Sequence, residues 1–229
     1  MQAKLVRIKR AVTAVQPNSA FARVDGKRSW LGPALRTLRQ SEFDTSCAQL
    51  MRLVEQDYTP TLVVGIRTGG WVVAESMVRA ASVPLPVLPV TCRRATTGAK
   101  SRLPWLHAAL AALPRQAVDL LRRIEHRLFI APRAHQARPQ QVERAEIDMI
   151  GDWLARHPSC RRILVADDAV DSGMTLDTVL HHLRTVCPPD TVIRTAAITQ
   201  TLEQPIARPD YALLHGVLCR FPWSFDAVN

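Results

Sequence analysis

Residues 163–175 read Ile-Leu-Val-Ala-Asp-Asp-Ala-Val-Asp-Ser-Gly-Met-Thr, and this order constrains the chain more than any other stretch. Four apolar residues predict a strand buried on both faces, of the kind found inside parallel sheets. Asp167 and Asp168 follow at its carboxyl end, and Asp171-Ser172-Gly173-Met174-Thr175 makes a small-residue turn. Leu176, Val179, Leu180 and Leu183 then recur at helical spacing. The unit is strand, loop, helix N-terminus. The first N–H groups of a helix are unpaired and carry partial positive charge, which suits a phosphate. Gly173 lets the backbone approach closely, and Ser172 and Thr175 add hydroxyl donors. Two carboxylates beside such a site would repel the anion itself. They bond well to the vicinal hydroxyls of a sugar that carries the phosphate. The plainer alternative is a strand–turn–helix in which Asp171 or Ser172 serves as a cap. A Walker-type phosphate loop is excluded, because no Gly-Lys-Ser/Thr follows the strand.

This stretch resembles the phosphoribosyl-pyrophosphate (PRPP) signature of the type I phosphoribosyltransferase family. The resemblance implies that Asp167 and Asp168 bind the ribose 2′- and 3′-hydroxyls. It also implies that Asp171, Ser172, Gly173, Met174 and Thr175 bind the 5′-phosphate. It further singles out Asp171 as the catalytic residue. In 6-oxopurine relatives the acid at this place faces the acceptor nitrogen and takes or shares its proton. A carboxylate there gains nothing from the helix dipole in holding an anion, so a side chain turned toward the acceptor makes better sense. An N-cap bonding the N–H of Gly173 or Met174 is the alternative.

A second unit of the same physical type lies upstream. Ser41 or Asp44 can cap a helix running to about Tyr58, with Leu50, Leu53 and Val54 inward. Pro60 ends it, and Thr61–Ile66 predicts a short buried strand. Arg67-Thr68-Gly69-Gly70 follows, then a helix over 71–80. Placed ahead of the PRPP motif, Arg67, Thr68, Gly69 and Gly70 resemble the family's pyrophosphate-binding loop, where members often hold a non-proline cis peptide. A plain strand-to-helix turn is the alternative. Val83–Thr91 is a third strand candidate, complicated by Pro84, Pro86 and Pro89. Arg93 and Arg94 at its end match where the family supplies basic residues to pyrophosphate. Ala95–Arg102 resembles the mobile loop that closes over PRPP, which would bring Lys100 and Arg102 to the site; exposed loop charge is the alternative.

The net charge of +10 invites a nucleic-acid reading. It is uneven: residues 93–144 hold 11 Lys+Arg against 3 Asp+Glu. A cleft for a phosphate and a pyrophosphate needs positive potential nearby, which accounts for Arg93, Arg94, Lys100 and Arg102. For Arg115–Arg144 a solvated helix face is favoured over a nucleic-acid surface.

Residues 104–158 exceed a minimal type I domain. Trp105–Leu113, Arg115–Ile130 and Gln140–Ala155 predict helices separated by prolines. Leu120, Leu121, Ile124 and Leu128 form one stripe, and Val142, Ala145, Ile147, Met149, Ile150 and Leu154 a broader one. Both read as packing faces. The four histidines of this stretch (His107, His126, His135, His157) have no metal-ligand spacing. After the PRPP helix, Thr191–Thr199 and Tyr211–Leu214 predict strands. Phe221-Pro222-Trp223 near the C-terminus resembles the acceptor-binding stretch of purine-type relatives, with Phe221 and Trp223 offering ring surface. An aromatic anchor in the core is the alternative. Two departures stand out. Ser224, not an acid, follows Trp223. The lysine that 6-oxopurine enzymes carry after the next strand is absent from Thr199-Gln200-Thr201.

Five scattered cysteines without a CxxC read as thiols of a reducing cytoplasm. No stretch approaches a membrane span, and residues 1–10 lead into no signal-like apolar region. The expectation is one α/β type I phosphoribosyltransferase domain: a mostly parallel sheet, helices on both faces, an N-terminal extension over 1–40, and a loop and helical insertion over 95–158. Within that extension, Lys4–Val12 and Ser29–Leu31 are strand candidates around a turn at Asp25-Gly26-Lys27. The activity implied is transfer of the 5-phosphoribosyl group from PRPP to a nitrogen of a nucleobase-like acceptor. Mg²⁺ would be held mainly by PRPP oxygens, and a homodimer is expected. Two rivals remain open: a PRPP-sensing or nucleic-acid-binding relative without turnover, and a transferase or hydrolase acting on a non-nucleobase acceptor.

Overall fold

The computed structural model describes residues 33–94 and 140–224, together with Leu120, Arg123 and Ile124. The expected elements of residues 1–32, the loop with Lys100 and Arg102, the helix over 105–113 and, apart from those three residues, the helix over 115–130 lie outside the described residues.

The described elements begin with β1 (Ala34–Thr37), α1 (Gln40–Glu55), β2 (Leu62–Arg67), α2 (Gly69–Arg79), β3 (Val87–Arg94) and β4 (Gln140–Val142). They continue with α3 (Arg144–Arg156), β5 (Arg162–Val170), α4 (Met174–Val186), β6 (Val192–Gln200), β7 (Tyr211–His215) and β8 (Val217–Arg220). Six strands form the main sheet in the order β4-β3-β2-β5-β6-β7, and β1 pairs with β8 in a separate ribbon. All pairings are parallel except β3 with β4. This is the expected mostly parallel α/β sheet.

Both faces of the sheet are covered, which is why its strands read as unbroken apolar runs rather than alternating ones. Side chains alternate between two cores. Val63, Leu164, Ala166, Ala196 and Ile198 meet α1 and α2 through Phe43, Leu50, Met51, Val54, Val73 and Met77. Leu62, Val64, Ile163 and Val165 meet α3 and α4 through Ile147, Ile150, Leu154, Leu176, Val179 and Leu183. The helices on the two faces are therefore set by a two-residue period in β2 and β5.

Three local expectations change. Gln140–Val142 is a strand, not the first turn of a helix, and α3 starts only at Arg144. Cys92, Arg93 and Arg94 pair antiparallel with Val142, Gln141 and Gln140, and this edge contact overrides the helical pattern. The broad stripe of α3 narrows accordingly to Ile147, Ile150 and Leu154, while Met149 is exposed. The segment from 140 to 156 is thus built into the sheet and its lower core. Finally, β1 and β8 pair across more than 180 residues (Ala34 opposite Val217), so the end of the presumed N-terminal extension is stitched to the C-terminal strand.

The prolines of β3 are accommodated by position. Pro84 and Pro86 precede the strand, and Pro86 needs only its carbonyl, which accepts the Val63 N–H at 3.0 Å. In a parallel ladder alternate residues bond to one side. Residues 86 and 88 face β2, so the nitrogen of Pro89 points the other way, where β4 does not reach. The missing donor of Pro89 costs no ladder bond.

Candidate active site

The sheet order fixes where a ligand can sit. From β2 the chain runs outward to β3 through α2 on one face. From β5 it runs the opposite way to β6 and β7 through α4 on the other face. The reversal lies between β2 and β5, which pair from Leu62↔Ile163 to Gly65↔Ala166. A crevice opens at the carboxyl ends of strands at such a point. Two strand–loop–helix units border it, Arg67–Gly70 before α2 and Asp171–Gly173 before α4.

The two acids lie between these loops. Asp167 is 8 % exposed, and Asp168 is partly buried. Asp167 Oδ1 accepts the Asp168 N–H at 3.0 Å, and Asp168 Oδ1 accepts the Ala169 N–H at 2.9 Å. Burial pushes the Asp168 carboxyl above its usual range, and the nearby Asp171 charge adds to the rise. A side-chain hydrogen bond with Asp167 and the backbone donors oppose it.

The first turn of α2 packs directly on this pair. A Cβ on Gly69 would overlap the Asp168 carboxylate, and one on Gly70 would lie 2.6 Å from the Ala166 carbonyl oxygen and 2.8 Å from Asp167 Cα. Only glycine permits that approach. The Arg67–Thr68 peptide is cis. Arg67 extends from the end of β2 with its side chain half exposed. Its Nε lies 3.6 Å from Glu146 Oε1, and its guanidinium lies 5.8 Å from the Trp71 ring centre. Glu146 Oε2 also accepts the Thr91 N–H, tying the first turn of α3 to the end of β3.

The second loop is shaped differently. Gly173 has φ +77° and is the N-cap of α4, so Met174 and Thr175 supply its first N–H groups. Ser172 Oγ accepts the Met174 N–H at 3.3 Å, and the Ser172 carbonyl accepts the Ile206 N–H at 2.7 Å. A Cβ on Gly173 would overlap the Ala207 backbone. Asp171 is partly buried, and Thr201 Oγ1 donates to its Oδ1 at 2.6 Å.

The remaining candidates spread out. Arg93 is exposed and lines a separate cavity of about 350 Å³ with Gln140, Gln141, Arg144 and His182. Arg94 closes β3 opposite Gln140. Phe221 is 4 % exposed and belongs to the α1–α2 core. Trp223 stacks on it at 5.0 Å with 4° between planes, and both rings meet Phe43 edge-on. Trp223 keeps 39 % of its surface open, so free ring area sits there and not on Phe221.

Sequence reasoning did not single out Thr201, Glu146 or the 206–207 segment. Thr201 stood only in a stretch noted for lacking lysine. Glu146 is an acid in the first turn of a helix, an ordinary helix signal. The role of Ile206 and Ala207 in bracing the phosphate-type loop comes from packing alone.

The phosphoribosyl transferase domain family matches residues 39–215. The chain belongs to this family. It is a phosphoribosyltransferase, and its sheet has the type I form. Among solved structures, purine phosphoribosyltransferase from Pyrococcus horikoshii is similar at a TM-score of 0.51 and 14% identity, covering 84% of this chain and 96% of that one. Helicobacter pylori xanthine-guanine-hypoxanthine phosphoribosyltransferase gives 0.52 and 17%, covering 83% and 94%. A hypothetical protein from Neisseria gonorrhoeae with bound ppGpp gives 0.50 and 13%, covering 85% and 92%. At these identities the likeness carries the fold. No curated protein matches the sequence. Among the described residues, no helix is long and apolar enough to cross a membrane.

Proposed function

We propose that this phosphoribosyltransferase transfers the 5-phosphoribosyl group of PRPP to a nitrogen of a nucleobase-like acceptor, releasing pyrophosphate. The observation that carries the reading is the packing of the Gly69–Gly70 turn on Asp167 and Asp168 at the β2/β5 reversal. It sets an acid pair, suited to a diol, between two helix N-termini suited to the two anionic ends of one molecule.

In this reading Asp167 and Asp168 accept hydrogen bonds from the ribose 2′- and 3′-hydroxyls. The 5′-phosphate is held by Asp171–Thr175 at the start of α4, with the Asp171 carboxylate turned away from it. The pyrophosphate lies along Arg67–Gly70 at the start of α2, with Arg67 supplying positive charge. Trp223 and the Phe221 region border the acceptor. Asp171 takes the acceptor's proton as the new C1′–N bond forms and the bond from C1′ to the pyrophosphate oxygen breaks. Charge develops on the ribose ring and on the leaving group, so positioning and electrostatics carry the rate.

Magnesium fits this donor set: hard carboxylate oxygens on Asp167 and Asp168 beside a polyphosphate suit an ion that keeps much of its water shell. Bound through PRPP oxygens, it would neutralise charge on the leaving pyrophosphate.

The test is a thermal-shift titration with PRPP and Mg²⁺, followed by pyrophosphate release with a panel of bases. A ligand at one hundred times its Kd stabilises by about 2.7 kcal/mol. A clear upward shift lost in Asp167→Asn is expected. No shift at millimolar PRPP would overturn the reading.

A further inference from the structure

The strand that follows α4 ends next to the proposed base. β5 and β6 pair in register to Val170↔Gln200, and the Thr201 N–H extends the ladder by donating to the Val170 carbonyl at 2.9 Å. Gln200 Nε2 donates to the carbonyls of Leu202 at 2.7 Å and Glu203 at 3.4 Å, which stiffens the turn on the far side of Thr201. Thr201 is only 5 % exposed. Its hydroxyl therefore has a fixed place, and Asp171, the residue after Val170, lies opposite it with Oδ1 2.6 Å away. That length is at the short end for a hydroxyl hydrogen bond to oxygen.

We propose that Thr201 is the positioning residue for Asp171: its buried hydroxyl holds one carboxylate oxygen and thereby sets the direction in which the carboxylate meets the acceptor's proton. The inference rests on the proposed role of Asp171 and adds to it the group that aims it. The bond restricts the rotation of a side chain that stands at the mouth of a turn. Glu203 and Arg208 are the charged residues of the segment packed behind the turn, where Arg208 donates to the Glu203 carbonyl at 2.7 Å. A purely structural bond would tie the loop to β6 and change stability alone.

Wild type, Thr201→Val, Thr201→Ser and Asp171→Asn separate these cases. Two measurements are made on the full chain. The first is thermal melting. The second is steady-state pyrophosphate release from PRPP with Mg²⁺ and adenine, hypoxanthine or guanine as acceptor. In Thr201→Val the kcat should fall about tenfold, the ratio matching one strong hydrogen bond, while the KM for PRPP and the melting temperature hold near wild type. Thr201→Ser keeps the hydroxyl and should restore kcat. An unchanged kcat in Thr201→Val overturns the inference. So does a loss confined to melting temperature, or a kcat loss that Thr201→Ser does not recover. If Asp171→Asn turns over at the wild-type rate, the base role falls whatever Thr201 does. If Asp171→Asn is slow and Thr201→Val is not, only the Thr201 inference falls.

Discussion

The loops before α2 and before α4 look alike in sequence, each a buried strand running into a glycine turn and a helix. Their glycines solve different problems. Gly69 and Gly70 have no positive φ; they are needed because α2 begins against the carboxylates of Asp168 and Asp167. Gly173 is needed for its backbone, at φ +77°, and for its contact with Ala207. The first loop is shaped by what it touches across the site, the second by how it turns and by the segment that props it. The charged groups differ too. The first loop carries Arg67, set against Glu146, and the second carries Asp171, held by Thr201. A cation suits the binding of an anionic leaving group, and an acid suits proton transfer. In the proposed reading, the two loops of one crevice divide binding from chemistry.

That division can be broken most sharply at the acids and cations. Asp171→Asn should lower the rate by ~10²–10⁴-fold, the usual worth of a positioned general base, with PRPP affinity and melting temperature near wild type. Arg67→Ala should do the reverse, raising the KM for PRPP more than it lowers kcat. Steady-state kinetics on both variants checks the pair; equal losses in both constants for both variants would erase the distinction.

The glycines give the next largest effect. Gly173→Ala puts a side chain in the left-handed region, at about 1–2 kcal/mol, and forces it onto the Ala207 backbone. Its melting temperature should drop clearly. Gly69→Ala meets the movable Asp168 side chain, so its fold should suffer less and its PRPP affinity more. Thermal melts alongside calorimetry with PRPP distinguish them.

Asp168 sharpens the comparison from the binding side. Asp168→Asn should weaken PRPP binding by about 1.5–3 kcal/mol, the worth of a charge-assisted bond, by calorimetry. It should also melt higher at neutral pH. Burial raises the folded pKa of Asp168, so the stability it contributes is present at low pH and lost as pH rises through that raised value. Asparagine retains an oxygen for the Ala169 N–H and removes the titration. The stability gap between variant and wild type should therefore close toward acid pH.

The smallest effect is expected at the Arg67–Glu146 pair, whose arginine is half exposed. Pairs of this kind contribute about 0–1 kcal/mol. Glu146→Gln keeps an acceptor for Thr91 and should leave stability within that range by denaturant titration, while freeing Arg67 for an anion.

The strand–loop–helix units, the sheet type and most helix faces were legible because they are written in short periods. Leu176, Val179 and Leu183 are three spaced residues of one helix, and all three are buried. The acid pair was legible because its neighbours in the chain are its neighbours in space. The expected helix over Gln140–Ala155 was partly misread for the opposite reason: three residues, Gln140–Val142, yield to an edge of β3 that local pattern does not announce. Phe221-Pro222-Trp223 could be read as a ring surface or as a core anchor. The fold buries Phe221 and leaves Trp223 its open face.

By itself, then, the sequence determined the buried strands, the two glycine loops and the paired acids, since each is written in a short stretch of the chain. The tertiary structure alone decided what long separations bring together. It paired β1 with β8, set Gly69 against Asp168 and Thr201 against Asp171, and laid Ala207 over Gly173. Those contacts follow from strand order, and strand order is fixed by which apolar faces can be buried together, a property of the whole chain rather than of any window along it.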